Sequence, residues 1–316
     1  MKRRKFIQDT ALGGLALGLT SFDKADPLLQ SGIPKRTLGK TGEKLSIIGF
    51  GGIMLNDNPQ EYANEMVAKA FNAGINYFDI APSYGNAQSK LGPALKPYRN
   101  KCFLACKTLE RDASGAEKQL NESLSVLGTD HFDLYQLHAL SSVDEVEKVF
   151  ESGGAMETLV KARQQGKIKY LGFSAHSVDA ALLAMQKFDF NTILFPINFN
   201  CWEQGDFGPQ VFEMAHSKDM GILALKAMAL TLLKEGEAKP YKNVWYRPVQ
   251  DDEMSKLALR YTLSKEITAA IPPGDAEFFW KGVEVARDFK PITLAESERL
   301  KNLSSGNPPI FKHPMA

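Results

Sequence analysis

The chain has 316 residues, 44% hydrophobic and 24% charged, enough for a large globular core. Its 38 basic and 37 acidic residues leave a formal net charge of +1, which gives no sign of a polyanion partner; no nucleic-acid partner is expected, and the alternative of a local basic patch has support only at Lys2–Lys5. Three cysteines, an odd number, exclude a complete disulfide framework. Cys102 and Cys106 lie four apart on a strand-like run, roughly 13 Å at ~3.3 Å per residue, too far for a bridge, and read as buried structural thiols. With no second Cys/His pair nearby, no metal site is expected.

Residues 1–32 read as a leader. Lys2-Arg3-Arg4-Lys5-Phe6-Ile7 precedes a Gly-rich apolar stretch from Ala11 to Thr20. That layout is an export signal, too short for a span of about 20 apolar residues. The RRKFI core resembles the twin-arginine signal, which addresses folded proteins to their export machinery. No clean cleavage site precedes Asp26-Pro27. The expectation is an exported protein, periplasmic or anchored on the outer side of the inner membrane.

From Pro34 the pattern is regular. Arg36–Gly39 and Lys44–Ser46 flank Lys40-Thr41-Gly42, a small hairpin. Strands are then expected at 46–50, 75–79, 102–107, 132–138, 168–173, 192–197, 222–225 and 267–271. Helices are expected at 60–73, 87–95, 114–127, 155–165, 178–186, 209–218, 251–264 and 276–287. Ser114 is the expected N-cap of its helix, with Glu117 three residues on. Glycines at 74, 128 and 166 suit left-handed helix ends. Residues 226–250 form the longest connection and 302–316 a Pro-rich tail.

Eight strand–helix repeats in about 260 residues predict a (β/α)8 TIM barrel preceded by a β-hairpin, spanning residues 33–290, with 291–316 as a C-terminal tail. An open doubly wound sheet is the alternative. Against it, no strand is followed by G-x-G-x-x-G; Gly49-Phe50-Gly51-Gly52 lacks the spacing.

Asp79, Lys107 and His138 each close a strand, and Tyr84 follows Asp79 on the loop APSYGN. In a barrel these ends gather at one rim, where active sites form. Alternation puts Phe103, Ala105 and Lys107 on the inward face of one strand and Phe132, Leu134, Gln136 and His138 on that of the next. Tyrosine holds its proton at pH 7 with an ordinary pKa near 10, and a neighbouring ammonium favours its phenolate. Lys107, held by Asp79, supplies that ammonium. His138 orients a carbonyl oxygen. Such a set protonates oxygen while hydride reaches carbon, and the hydride must come from a cofactor. Taken singly, the bland alternatives are a loop-capping Asp, an ordinary salt bridge and a satisfied buried histidine.

The stretches RTLGKTGEKLSIIGFGG, AGINYFDIAPSYGNAQSKLGPAL, CFLACKT, LGTDHFDLYQLHAL, QQGKIKYLGFSAHS and GILALKAM resemble the aldo-keto reductase superfamily over residues 34 to about 290. The resemblance implies a (β/α)8 barrel binding NADP or NAD in an extended pose, without a Rossmann motif. It implies the tetrad Asp79, Tyr84, Lys107 and His138, with Tyr84 as general acid/base, and a small carbonyl or alcohol substrate. It implies cofactor contacts from Gly52, Asp79, Ser174, Lys226, Pro273 and Gly274. A monomer or small homo-oligomer is expected.

The chain departs from the family pattern where the nucleotide is held. Ala175 stands where an asparagine is usual, Pro196 where a glutamine is usual, and Lys226 near the place of a stacking aromatic. After the eighth strand, Asp275 and Glu277 would repel a 2′-phosphate. Lys281 is the near cation there, with a solvated helix residue as its plainer reading, and the helix start after Gly274 offers backbone amides. The expectation is an altered nucleotide preference, toward NAD(H), with loss of nucleotide binding as the alternative. Tyr241, Trp245, Tyr246 and Arg247, with Trp202, either line a pocket for an apolar or sugar-like ligand or pack their loops onto the barrel.

Overall fold

A computed structural model of the protein describes residues 32–314. The leader stretches from Lys2 to Thr20 lie outside them. The strands are β1 (Lys35–Thr37), β2 (Lys44–Ser46), β3 (Phe50–Gly51), β4 (Tyr77–Asp79), β5 (Phe103–Thr108), β6 (Phe132–Leu140), β7 (Ile168–Ala175), β8 (Thr192–Pro196), β9 (Gly221–Leu225), β10 (Ala229–Leu232), β11 (Tyr246–Pro248) and β12 (Ala269–Ile271). The helices are α1 (Gln60–Asn72), α2 (Ala87–Leu95), α3 (Ala113–Leu127), α4 (Val143–Phe150), α5 (Ala155–Gln164), α6 (Val178–Lys187), α7 (Phe199–Gln204), α8 (Pro209–Ser217), α9 (Asp252–Leu263), α10 (Ala276–Arg287) and α11 (Leu294–Ser304).

Eight strands pair in parallel in the order β12-β9-β8-β7-β6-β5-β4-β3. The sheet closes on itself where Ile48 pairs with Ala270, and Gly49 N–H donates to the Ala270 carbonyl at 3.0 Å. This is the expected (β/α)8 barrel. The hairpin β1–β2 plugs its amino-terminal end: Leu38 and Leu45 are buried with Tyr77, Phe103, Ala105, Leu134, Leu194 and Leu223. A larger apolar layer, including Leu104, Cys106, Tyr135 and Leu137, packs the outer strand faces against the helices. The two faces of β5 and β6 thus sort as alternation requires, with one exception. Phe132 stacks on Tyr135 in the outer layer, ring centroids 5.4 Å apart, while Phe103 and Tyr170 stack in the inner cluster. Cys102, Cys106 and Cys201 are free thiols and buried.

Gly74, Gly128 and Gly166 take positive φ at helix ends, as expected. The N-cap of α3 is Asp112, not Ser114. Asp112 has extended backbone, and its carboxylate accepts the Gly115 amide at 2.9 Å, leaving Ser114 inside the first turn. Three helices escaped the sequence reading: α4, α7 and α11. The last lies within the segment read as a tail. It carries a capping box between Thr293 and Glu296 and packs on α7 and α9. The long connection is also ordered locally, since β10 and β11 pair antiparallel.

Candidate active site

The tetrad assembles at the carboxyl rim. Asp79 ends β4 and Lys107 lies near the end of β5, both at the centre of the barrel, with side-chain exposures of 3% and 0%. The Lys107 ammonium donates to the Asp79 carboxylate and, at 3.3 Å, to the Ile80 carbonyl. The second oxygen of Asp79 accepts the phenol of Tyr77 at 3.3 Å. Tyr77 was not singled out from the sequence, although it shares a strand face with Asp79 two residues on. Lys107 Nζ lies 5.3 Å from the Tyr84 ring centroid. The Tyr84 and His138 rings meet edge to face at 6.0 Å. Both rings are half-buried, so the rim is reachable by a small molecule.

The electrostatics differ among Lys107, Tyr84 and His138. Burial opposes the charge on Lys107, but Asp79 and Tyr84 outweigh it and hold the ammonium above its ordinary pKa. Burial raises the Tyr84 phenol; Lys107 pulls it back down, but not to its ordinary value. The sequence expectation of a net lowering is therefore reversed by desolvation, although the sign of the Lys107 contribution is as expected. Burial, then the charges of Lys107, His176, Lys226 and Arg111, push His138 down to about 2. It is a neutral imidazole, and its Nδ1 has no partner among the described residues.

The residues expected at the nucleotide ring the same rim. Gly52 packs where a Cβ would meet the Ile80 terminal methyl at 2.4 Å and the Asp79 carbonyl at 3.0 Å, so any larger residue would have to displace Ile80 and crowd the Asp79 backbone. Ser174 Oγ accepts the Ala139 amide at 2.7 Å, fastening the backbone after His138 and leaving one O–H to donate. Ala139 and Lys226, at the ends of β6 and β9, both adopt positive φ, 55° and 62°, which is uncommon for non-glycine residues. Lys226 Nζ sits 3.2 Å from His176 Nε2 and faces the rings of Trp245 at 5.5 Å and Phe311 at 5.7 Å. The aromatic character expected at position 226 is thus supplied by the long connection and the C-terminal segment. Ala175 and Pro196, buried at the ends of β7 and β8, provide no side-chain hydrogen bond.

Beyond β12 the geometry differs from expectation. Pro273 is buried, and Gly274 packs so closely on Ile53 and Asn243 that a Cβ would meet Ile53 at 2.6 Å. The start of α10 is capped by Asp275, whose carboxylate accepts the Glu277 amide at 2.9 Å. A phosphate there would have to displace a carboxylate. Lys281 is not a solvated cation: it is buried and paired with Asp252 at 3.1 Å and Glu277 at 3.6 Å. Of the loop aromatics, Trp245 stands at the rim. Tyr246 is buried, Tyr241 packs on Phe278, and Trp202 packs on Phe212 away from the tetrad. Arg247 pairs with Glu237 at 2.5 Å.

Two residues that carried no expectation belong to the rim. Arg111, after β5, donates to the His138 carbonyl at 2.8 Å, and His176, directly after β7, receives Lys226. Among the described residues no group of three or more potential ligands could hold a metal ion.

A closed parallel barrel with buried acid–base groups at its carboxyl rim defines a (β/α)8 enzyme. The sequence profile of the Aldo/keto reductase family matches residues 47–274, and the chain belongs to that family. It is accordingly an oxidoreductase of a family that generally uses NAD(P)H. L-galactose dehydrogenase of Arabidopsis thaliana is 27% identical over 270 residues, covering 76% of this chain and 83% of the relative. Aldo-keto reductase YhdN of Bacillus subtilis is 33% identical over 162 residues, but the match spans about half of each protein, 45% of this chain and 47% of the relative. The holo form of aldo-keto reductase AKR11C1 from Bacillus halodurans superposes with a TM-score of 0.68 at 22% identity, over 89% of this chain and 99% of that one, showing a shared fold.

Proposed function

We propose that the protein interconverts a carbonyl and an alcohol, with Tyr84 as general acid/base and NAD(H) as the preferred nucleotide. The observation that carries this reading is Lys107, fully buried, bonded to Asp79 and set against the Tyr84 ring. When bound, the nicotinamide supplies or accepts the hydride. The chain's own residues manage the proton. Neutral His138 donates an N–H to the carbonyl oxygen and does not compete for the proton in transit. Burial keeps the Tyr84 phenol protonated until oxygen develops charge, and the Lys107 ammonium stabilises the phenolate left behind. Asp79, steadied by Tyr77, keeps Lys107 charged and in position.

Gly52, Asp79 and Ser174 fit the nicotinamide end, where Gly52 keeps the backbone close and Ser174 retains a donor. Lys226 fits an anionic linker, and Pro273 and Gly274 the far end. The capping carboxylate of Asp275 and the prior pairing of Lys281 support NAD(H) over NADP(H). Trp245 at the rim and the likeness to L-galactose dehydrogenase support a small aldehyde or sugar-like substrate. The stretch from Lys2 to Thr20 supports export to the periplasm, or retention on the outer side of the membrane, by the folded-protein machinery. Blocked export of an Arg3→Lys, Arg4→Lys double variant, followed by fractionation, tests this.

Fluorescence titration with NADH and NADPH tests the cofactor reading, with NADH expected to bind more tightly. Tyr84→Phe is expected to lower turnover by about 10²–10⁴-fold while leaving NADH affinity near wild type. Equal loss of both contradicts the role of Tyr84. The departures at Ala175, Pro196 and Asp275 support a second reading, a barrel that holds a ligand without turnover; failure of either nucleotide to bind would favour it.

A further inference from the structure

Lys107 and Lys281 are buried in this barrel and Lys226 is half-buried, and the three differ in their partners. Lys107 is paired with Asp79, and Lys281 with Asp252 and Glu277. Lys226 has no carboxylate partner among the described residues. Its Nζ instead rests 3.2 Å from an imidazole nitrogen of His176, beneath Trp245 and Phe311. It is half-buried, in a left-handed backbone conformation that points to a position held by its surroundings. In the proposed reductase reading Tyr84 and Lys107 handle the proton and Lys226 contacts only the nucleotide's anionic linker, so without nucleotide its amine takes no part in that chemistry.

We propose that Lys226 is a nucleophilic amine that captures small aldehydes as a reversible imine at the rim of the barrel. The groups facing Lys226 are the rings of Trp245 and Phe311, His176, and the buried thiol of Cys201, with His138 close enough to be affected by its charge. None of them is a carboxylate. Burial, partly offset by Cys201, lowers the amine to about 7. Burial and the charge of Lys226 push His176 down to about 3, so its ring is neutral and its Nε2 can accept a hydrogen bond from Lys226 without adding a second charge. A lysine desolvated among apolar walls, with no carboxylate beside it, is the environment in which amines become nucleophiles at neutral pH.

The chemistry balances without a redox partner. The free amine attacks the carbonyl carbon, and the C=O π pair moves to oxygen. A proton passes from nitrogen to that oxygen, giving a carbinolamine. The nitrogen lone pair then forms C=N as the C–O bond breaks, and the oxygen leaves as water after taking a second proton. Hydrolysis reverses each step. The ligand class is an unhindered aldehyde, including the open-chain form of an aldose.

Propionaldehyde with sodium cyanoborohydride, applied to the full chain without nucleotide, reads the imine as a stable propyl-lysine located by peptide mapping. At pH 7 an ordinary lysine is about 0.03% unprotonated and an amine titrating near 7 about half so. Allowing for the lower intrinsic nucleophilicity of the less basic amine, Lys226 is expected to be alkylated on the order of 100-fold faster than surface lysines. The α-amino group is the expected second site. At pH 10 the preference should collapse to within a few-fold. Lys226→Arg should abolish that adduct and leave the others. Alkylation of Lys226 no faster than surface lysines at pH 7 overturns the proposal, and this comparison needs only the wild-type chain. Because no nicotinamide is present, the outcome is independent of whether the reductase reading holds.

Discussion

The ring of Phe311 stacks on His176, centroids 5.3 Å apart and 24° from parallel, and it also meets Phe207 at 5.0 Å and Trp245 at 5.9 Å. A residue near the end of the chain is therefore part of the rim. The segment around it is fastened: Thr231 and Asn200 donate to the carbonyls of Pro308 and Asn307, at 2.7 and 2.8 Å, and His313 N–H donates to Gly205 at 2.7 Å.

Phe311→Ala should therefore do two separable things. Truncating a half-buried aromatic should destabilise the protein by about 2 kcal/mol, below the cost of a fully buried ring, read as the midpoint of urea unfolding. Admitting water should also raise the Lys226 amine toward its ordinary value, read as an upward shift in the pH at which aldehyde trapping reaches half its maximum. A lower midpoint with an unchanged trapping profile would show that Phe311 packs the segment without desolvating Lys226.

Asp79→Asn leaves Lys107 buried with no counter-charge. Breaking a buried pair by removing one partner costs about 3–5 kcal/mol. Here Asp79 is what keeps the ammonium above its ordinary pKa against burial, so its loss lets burial dominate and Lys107 sheds its proton more readily. Tyr84 then loses the cation that restrains its own upward shift. The expected result is a large fall in unfolding free energy together with a loss of turnover. An Asp79→Asn variant as stable as wild type would contradict the buried-pair account.

The barrel and tetrad were legible because their signals are local and periodic. Strand alternation placed Lys107 and His138 inward, and the three strand ends lie next to one another in the sheet. What sequence could not supply was the three-dimensional company of each group. Lys281 sits four residues after Glu277, and looked solvated until α9 brought Asp252 against it. Asp275 reads as a repulsive charge near a phosphate site, yet its position as the cap of α10 depends on backbone geometry. The contact of Phe311 with His176 spans the chain from β7 to its end, and no periodicity encodes it. The net direction for Tyr84 was missed for the same reason: proximity to Lys107 can be read from strand ends, but the opposing weight of burial cannot.

Acid should destabilise the protein through the rim histidines. His138 and His176 titrate near 2 and 3 when folded and near 6.5 when unfolded. Between those values the unfolded chain binds protons that the folded one does not, so stability rises with pH. Their contribution is fully present above pH 6.5 and is lost progressively as pH falls toward 3. Urea unfolding from pH 7 to pH 4 should show this decline, and His176→Asn should make the slope shallower by up to one proton per molecule. An identical slope in the variant would mean that His176 is protonated in the folded state over this range.

Lys226→Met should stabilise the protein at neutral pH. The amine titrates near 7 when folded and near 10.5 when unfolded, so the folded state disfavours its proton throughout that interval. The corresponding stability is present only above pH 10.5. It falls as pH drops through the interval and is missing in full below 7. Methionine matches the length and apolar stem of lysine, suits the contact with Trp245 and Phe311, and carries no charge to desolvate. The variant should therefore unfold at higher urea than wild type at pH 7, with the difference shrinking toward pH 10. Such a gain would mark Lys226 as a residue held at a cost to stability, as functional positions often are. Unchanged or lower stability at pH 7 would show that His176 and the two rings already compensate the buried charge.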